Sequence, residues 1–289
     1  MENSVLKDVK FNGKFGLKGF SSKESGHKIF DTLTWENVFE EQDWTLAEWA
    51  SVHPLRADRK QVKEGDRIDF STESKVVSLW PGKGKLSFFA DTSKEYGAPR
   101  KSGEDWIHLL LEQKIEAGDR VYLGDMKALD LALDFSVDEC ENLMRREEYD
   151  PNLHAAQISW FFTVENNRDT KLDFEGRPDY LWFGLPLFDN RHAVIDGPQI
   201  FLDRGTEKVI YSVKRAEYME EPFRIGHKYC VRMDILPSIK KAFAVAKEQD
   251  WLKGARWEDM AIGSTNLGWE IPGTFRCRCT FENLSLTFR

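Results

Sequence analysis

Residues 128–135 read ALDLALDF, and their side chains alternate between apolar and polar along the stretch. Successive side chains of a β-strand point to opposite faces of the sheet, whereas one face of a helix repeats every three to four residues. The stretch therefore predicts a strand that buries Leu129, Leu131 and Leu133 and presents Asp130 and Asp134 on its other face.

The same alternation recurs along the chain. Residues 180–187 are almost continuously apolar, as expected of a central strand buried on both faces. Turn residues separate the stretches, which is typical of an all-β protein. The other stretches that predict strands are 86–89, 157–164, 209–213, 229–235, 274–281 and 284–288.

Helical spacing is clear once, in residues 236–249, where Pro237 suits a first helical turn. A second, shorter helix is predicted around residues 44–52. A long array of strands with one late helix predicts an all-β fold, a two-sheet β-sandwich of the jelly-roll type, and not a doubly wound sheet. The apolar stripe of the late helix consists of Ile239, Ala242, Phe243 and Ala246.

The 289 residues contain no internal repeat and no Pro/Ser-rich linker, so we expect a single domain over residues 1–289. Its N-terminal segment of about 25 residues is expected to be an extended strand or an arm. The chain contains 10 Trp and 20 Phe. Most of these aromatic side chains are expected in the core, and an exposed minority suits stacking on the apolar faces of sugars.

The formal net charge of −8 argues against a nucleic-acid partner, because phosphate contacts require clustered Lys and Arg. No stretch reaches the ~18 consecutive apolar residues of a membrane helix, so no membrane partner is expected. The first residues lack the apolar region of a signal peptide. This predicts a cytoplasmic protein, or a secreted one if a leader has been removed, and the oligomeric state stays open.

No metal or cofactor is expected. The six His show no metal-ligand spacing, and the four Cys are predicted to be free thiols. Cys277 and Cys279 would share one face of a strand, which is poor geometry for a disulfide between them. Residues 82–85 read GKGK but lack the phosphate-loop pattern, and they predict a hairpin turn.

Two sets of carboxylates are candidates for acid–base chemistry. Asp130 and Asp134 share a strand face that is either solvated or the floor of a cleft. Glu270 lies in NLGWEIPG, residues 266–273, after a Gly and a Trp. Partial desolvation favours the protonated form of a carboxyl group, which suits a general acid. The alternative is a strand-end Glu paired with Arg276 or Arg278.

The C-terminal third resembles glycoside hydrolase family 12. The resemblance rests on an alternating strand, the Pro-containing helix, the segment AIGSTNLGWEI at residues 261–271 and a closing strand pair. It implies a concanavalin A-like jelly roll and a retaining endoglucanase or xyloglucanase. It also implies that Glu270 is the acid/base, because the Gly268–Glu270 triplet falls where the family carries that residue.

The family's nucleophile lies in a strand of the type Y-E-x-M-I-W-L. The matching segment here is PDYLWFG at residues 178–184, in which Asp179 is the only carboxylate and precedes the Tyr. A second jelly-roll group, the alginate-lyase-like polysaccharide lyases, carries Q-I-H on a central strand. Here that triplet is Gln157, Ile158 and Ser159, so the lyase His is missing and the lyase is a minor alternative.

The leading hypothesis is a glycoside hydrolase acting on a β-linked oligo- or polysaccharide. Glu270 would protonate the leaving oxygen, and Asp179, or failing it Asp134, would act as nucleophile or stabiliser. A noncatalytic, lectin-like sandwich and a sandwich of other function are the alternatives. The candidate substrate-binding residues are Gln157, Trp182, Phe161 and Asn266, with Trp160 excluded by parity if Gln157 lines the cleft.

Overall fold

The computed structural model describes residues 3–19, 28–56, 60–168, 179–192, 199–203 and 208–289. Within these residues the chain forms two stacked β-sheets and one α-helix, α1 (Leu236–Glu248). The predicted fold class, an all-β jelly-roll sandwich with one late helix, is confirmed. The strands in chain order are β1 (Asn3–Ser4), β2 (Gly13–Lys18), β3 (Ile29–Leu33), β4 (Phe39–Ala47), β5 (Lys60–Glu64), β6 (Arg67–Ser71), β7 (Lys75–Trp80), β8 (Lys85–Asp91), β9 (Ile107–Lys114), β10 (Leu129–Asn142), β11 (Gln157–Asn166), β12 (Tyr180–Asp189), β13 (Gln199–Leu202), β14 (Val209–Ser212), β15 (Lys228–Asp234), β16 (Met260–Ile271) and β17 (Phe275–Phe288).

The first sheet has the order β15-β10-β17-β8-β7-β6-β5, and β1 pairs with β17. The second sheet has nine strands in the order β13-β14-β12-β11-β16-β9-β4-β2-β3. The pairs β12–β14 and β2–β4 are parallel, and the other pairs of these sheets are antiparallel. Strands far apart in the chain are therefore neighbours in the second sheet, with β16 between β11 and β9.

The core lies between the two sheets, and the predicted alternation explains it. Leu129, Leu131 and Leu133 of β10 are buried, and Trp160 and Trp269 fill the core from the second sheet. The alternate residues of these strands form the outer faces of the sandwich. Since each sheet has one apolar and one more polar face, the stacking follows from burial of the apolar faces against each other.

Two predictions about local structure are wrong. Residues 44–47, predicted as part of a short helix, belong to β4, because Trp44 and Leu46 alternate into the core as strand residues. The stretches 274–281 and 284–288 are not separate strands but one, β17. Its irregularity is Asn283, which adopts a positive φ of 54° without ending the strand.

Helix α1 buries Ile239, Ala242 and Ala246, as its apolar stripe predicts, and Phe243 packs at its edge against Trp257. The four Cys are free, also as predicted. Cys277 and Cys279 are both buried, so they share the core face of β17.

Candidate functional site

The outer face of the second sheet is the surface built by the alternate residues of β12, β11, β16 and β9 that point away from the core. On β16 these are Asn266 and Glu270, since Leu267 and Trp269 between them are buried. The sequence neighbour Trp269 therefore does not cover Glu270 on this face. The Glu270 carboxylate is half-buried, with 24% of its side chain exposed.

A row of four polar residues crosses the end of this face, and we call it the Glu270 row. His108, Glu270, Gln157 and Asp189 are successive partners on β9, β16, β11 and β12. The Nε2 atom of His108 lies 3.9 Å from Oε1 of Glu270. The Nε2 amide of Gln157 donates to Oδ2 of Asp189 at 2.8 Å. The row therefore places Gln157 between two carboxylates.

Asp189 is held in its charged form by Arg191. The Arg191 guanidinium donates to Oδ1 through Nε at 2.9 Å and to Oδ2 through Nη2 at 2.6 Å. Burial of Asp189 opposes ionisation, but the hydrogen bonds from Arg191 outweigh it and hold the pKa of this carboxyl below its ordinary value. A carboxyl group of this kind stays ionised at neutral pH and presents a fixed negative charge.

Two further carboxylates of the outer face are neutralised by strong bases. Lys18 binds Glu112, and Nη1 of Arg120 lies 2.7 Å from Oε2 of Glu165. Glu270 differs from both, because its ionic neighbour within the described residues is His108, and imidazole is a weaker base than Lys or Arg. Among these three carboxylates of the described chain, Glu270 is the one that no Lys or Arg side chain neutralises.

Asp179 does not lie near Glu270. It precedes β12, and its backbone carbonyl accepts a hydrogen bond from the Asn166 N–H, whereas Glu270 pairs with Gln157 at the opposite end of β11. Those two ends of β11 are nine residue steps apart, which span ~30 Å in a strand. Retaining catalysis needs carboxyl groups about 5–5.5 Å apart, so Asp179 is ruled out as the partner of Glu270.

Asp179 instead belongs to a different part of the surface. Lys208 binds its Oδ1 at 2.9 Å. Asp179 lines a pocket of about 280 Å³ together with Lys208, Asp250 and Trp251.

Asp134 is also ruled out as a partner of Glu270. It lies on β10, in the first sheet, on the outer face of the sandwich. Arg232 and Asn283 donate to its two oxygens, each at 2.7 Å. Stacked sheets are ~10 Å apart, so Asp134 and Glu270 lie on opposite sides of the sandwich, and Asp134 is buried under its partners.

The predicted aromatic residues Phe161 and Trp182 do lie on the same outer face as Glu270. Their rings meet edge to face at 6.1 Å, and both are partly exposed. Phe161 lies over Gly184, where an added Cβ would come within 2.3 Å of its ring. Trp160 points into the core, where its Nε1 donates to Thr265 Oγ1, as the parity argument predicts.

Asn266 lies beside these rings. It is the cross-strand partner of Phe161 on one side and of Glu112 on the other. Its Oδ1 atom is buried and has no hydrogen-bond partner within the part of the chain that is described. The Asn266 side chain as a whole is partly exposed, so a polar amide lies on the same face as Phe161.

The sequence analysis missed Asp189 and His108. Asp189 is the last residue of β12 and His108 is the second residue of β9, and neither stands in a recognisable motif. Their relation to Glu270 depends on which strands are neighbours. A signal exists only for Asp189, since it ends the apolar stretch that forms β12.

The described residues contain no helix able to span a membrane. They also contain no group of three or more His, Cys, Asp or Glu side chains able to hold a metal ion.

The architecture is that of a jelly-roll β-sandwich, and the chain is similar to several solved structures. A cellulase derived from Cel12A of Rhodothermus marinus is 10% identical, covering 80% of this chain and 96% of its own, with a TM-score of 0.46. A native family 12 xyloglucanase from Bacillus licheniformis is 11% identical, covering 81% of this chain and 97% of its own, with a TM-score of 0.45. The xyloglucanase domain of NopAA from Sinorhizobium fredii, in complex with cellobiose, is 12% identical, covering 81% and 97%, with a TM-score of 0.38.

These alignments extend over about four fifths of the chain, so the restriction of the resemblance to the C-terminal third is wrong. No family model matches the sequence. No curated protein matches it either. The activities named above are those of the neighbours.

Proposed function

We propose that this chain is a carbohydrate-active protein that binds a β-linked glycan along the outer face of its second sheet. The observation that carries the proposal is the gathering of Phe161, Trp182, Asn266 and Glu270 on that one face. Binding sites combine apolar and aromatic walls with a few convergent polar groups. A sugar ring matches this combination, because its axial hydrogens present an apolar face and its hydroxyls radiate from the rim.

Two of these groups have complementary tasks in binding. The edge-to-face pair of Phe161 and Trp182 offers a partly exposed aromatic surface for the ring face. The partly exposed amide of Asn266 would form a hydrogen bond with a hydroxyl at the rim of the ring.

Hydrolysis of the bound glycan is supported by the Glu270 row. Glu270 would donate its proton to the glycosidic oxygen as the bond to the anomeric carbon breaks. A water would attack that carbon and release its proton to solvent, while Asp189, kept ionised by Arg191, would stabilise the positive charge developing on the sugar. Glu270 and Asp189 are two strands apart, so their Cα atoms are ~9.6 Å apart.

The test of hydrolysis is reducing-sugar release from β-glucan, xyloglucan and mannan. Loss of a general acid costs ~10²–10⁴-fold in rate, so Glu270→Gln and Asp189→Asn should each lose activity by that order. Asp179→Asn is the matched control and should retain it. Equal activity of Glu270→Gln and wild type would remove Glu270 from the mechanism.

The test of binding is affinity electrophoresis in gels containing the same polysaccharides. Trp182→Ala should lose retardation, whereas Trp80→Ala, a partly exposed Trp on the first sheet, should behave as wild type. Retardation without product release would favour the lectin-like alternative. Absence of retardation by every polysaccharide would contradict the proposal.

A further inference from the structure

Trp106 is an exposed aromatic residue beside the Glu270 row. It immediately precedes β9, and 41% of its surface is exposed. Its ring is nearly parallel to the ring of His108, at a centroid distance of 6.4 Å and an interplanar angle of 20°. Because His108 faces Glu270, Trp106 borders the row on the side away from Phe161 and Trp182.

The backbone on both sides of Trp106 is held by one hydroxyl group. Tyr96 Oη accepts a hydrogen bond from the Ile107 N–H at 3.1 Å and lies 3.1 Å from the Asp105 carbonyl, to which it can donate. It also lies 3.1 Å from the carbonyl of Ile271, the residue after Glu270. Burial raises the pKa of Tyr96 to about 12, so the hydroxyl stays a donor at physiological pH.

The Trp106 ring is also contacted by the side chain of Arg100. The Arg100 guanidinium carbon lies 5.6 Å from its ring centroid, and Arg100 is itself buried. The Nε of Arg100 donates to the Glu104 carbonyl at 2.9 Å. This hydrogen bond fixes the guanidinium group beside the segment that carries Trp106. An exposed Trp that is immobilised in advance loses little conformational entropy when a ligand stacks on it.

The positions of the aromatic residues set the size of the ligand. Phe161 is the cross-strand partner of Asn266. Asn266 is four residues from Glu270 along β16, so Phe161 lies ~13 Å from Glu270 in the strand direction. Trp106 is two residues before His108, the partner of Glu270 on β9. It therefore lies ~7 Å from the Glu270 row, on the side opposite to Phe161. The two aromatic positions are therefore ~20 Å apart along the strands, with Glu270 between them. A monosaccharide cannot reach both, whereas an oligosaccharide chain can.

We propose that Trp106 is the stacking platform of a separate sugar subsite, and that the ligand is an extended oligosaccharide that crosses the Glu270 row. This inference rests on the proposed function, since it assigns the far end of the same glycan. Trp106 binds a pyranose ring on the His108 side, and Phe161 with Trp182 binds another ring on the opposite side.

The experiment is isothermal titration of glucose, cellobiose and cellohexaose in the Glu270→Gln background, which prevents cleavage. Affinity should rise steeply from cellobiose to cellohexaose. Adding Trp106→Ala should weaken cellohexaose binding at least about tenfold, and Trp106→Phe should restore part of the loss. Trp80→Ala is the matched control and should leave the affinity within about twofold of the parent. Melting curves should show that each variant is folded.

The outcomes separate the inference from the proposed function. If the parent binds cellohexaose, Trp182→Ala weakens it and Trp106→Ala leaves it within about twofold, the subsite is refuted and the proposed function stands. If the parent binds cellobiose as tightly as cellohexaose, the extended ligand is refuted. If the parent binds no oligosaccharide and no polysaccharide, the proposed function fails and the subsite fails with it.

Discussion

Lys75 should be among the most sensitive positions in the first sheet. Its side chain is only 1% exposed, and its Nζ lies 3.2 Å from Glu48 Oε2 and 2.9 Å from Glu95 Oε1. It also donates to the His53 carbonyl at 2.9 Å. The cluster ties the loop after β4 to the first sheet. In this loop, the backbone carbonyl of Trp49 accepts a hydrogen bond from the backbone N–H of His108 at 3.1 Å. The loop is therefore linked to the Glu270 row.

Lys75→Met keeps most of the volume and removes the charge, leaving two buried carboxylates without their cation. Removing one partner from a buried ion pair costs ~3–5 kcal/mol. We therefore expect urea unfolding at pH 7.5 to show a loss of about 3–5 kcal/mol in the free energy of unfolding. Lys7→Met is the control, because Lys7 and Asp119 form an exposed pair that should contribute less than ~1 kcal/mol.

The loss should depend on pH in a defined direction. In the wild type, burial raises the pKa of Glu48 even though Lys75 opposes it. Burial also opposes ionisation of Glu95, but the charge of Lys75 and a hydrogen bond from Ser74 outweigh it and lower the pKa of Glu95.

Without Lys75 both carboxyl groups would favour protonation, so the folded variant would bind protons more tightly than the unfolded chain. The stability of the variant should then fall as pH rises above ~4.5, the ordinary Glu value. The loss relative to wild type should be larger at pH 7.5 than at pH 4.5, and adding Glu48→Gln should recover part of it. A loss below ~1 kcal/mol, or an equal loss at both pH values, would refute this account.

Three further predictions follow from single positions. Asp134→Asn should leave glycan binding within about twofold of wild type in the electrophoresis assay, since Asp134 lies on the opposite sheet; a larger loss would contradict the assignment of the site to the second sheet. Gly184→Ala should cost ~1–3 kcal/mol in urea unfolding and weaken binding, because the new Cβ would displace the Phe161 ring; unchanged binding would separate Phe161 from the ligand. With Ellman's reagent at pH 7, exposed Cys230 should react in the folded protein, slowly because desolvation and Asp134 raise its pKa, while buried Cys277 and Cys279 should react only on unfolding; rapid reaction of all thiols would contradict the core assignment.

The sequence by itself determined which side chains share a face of each strand. Side-chain alternation is local, so it correctly places Trp160 in the core and Gln157 on the opposite face of β11. The same reasoning predicts the late helix, because its apolar spacing and its Pro at the first turn are also local. The prediction around residues 44–52 failed because Trp44 and Leu46 fit either a short helix or a strand, and the pairing of β4 with β9 and β2 decides between them.

The tertiary structure alone decided which carboxylates meet. Glu270 and Asp189 are brought to one row by pairing of β16 and β12 with β11, across more than eighty residues of sequence. The order and register of those strands come from packing and hydrogen bonding between distant segments, which no local pattern encodes. For the same reason Asp179, which is close to β12 in sequence, lies at the far end of the face, and Asp134 lies on the other sheet.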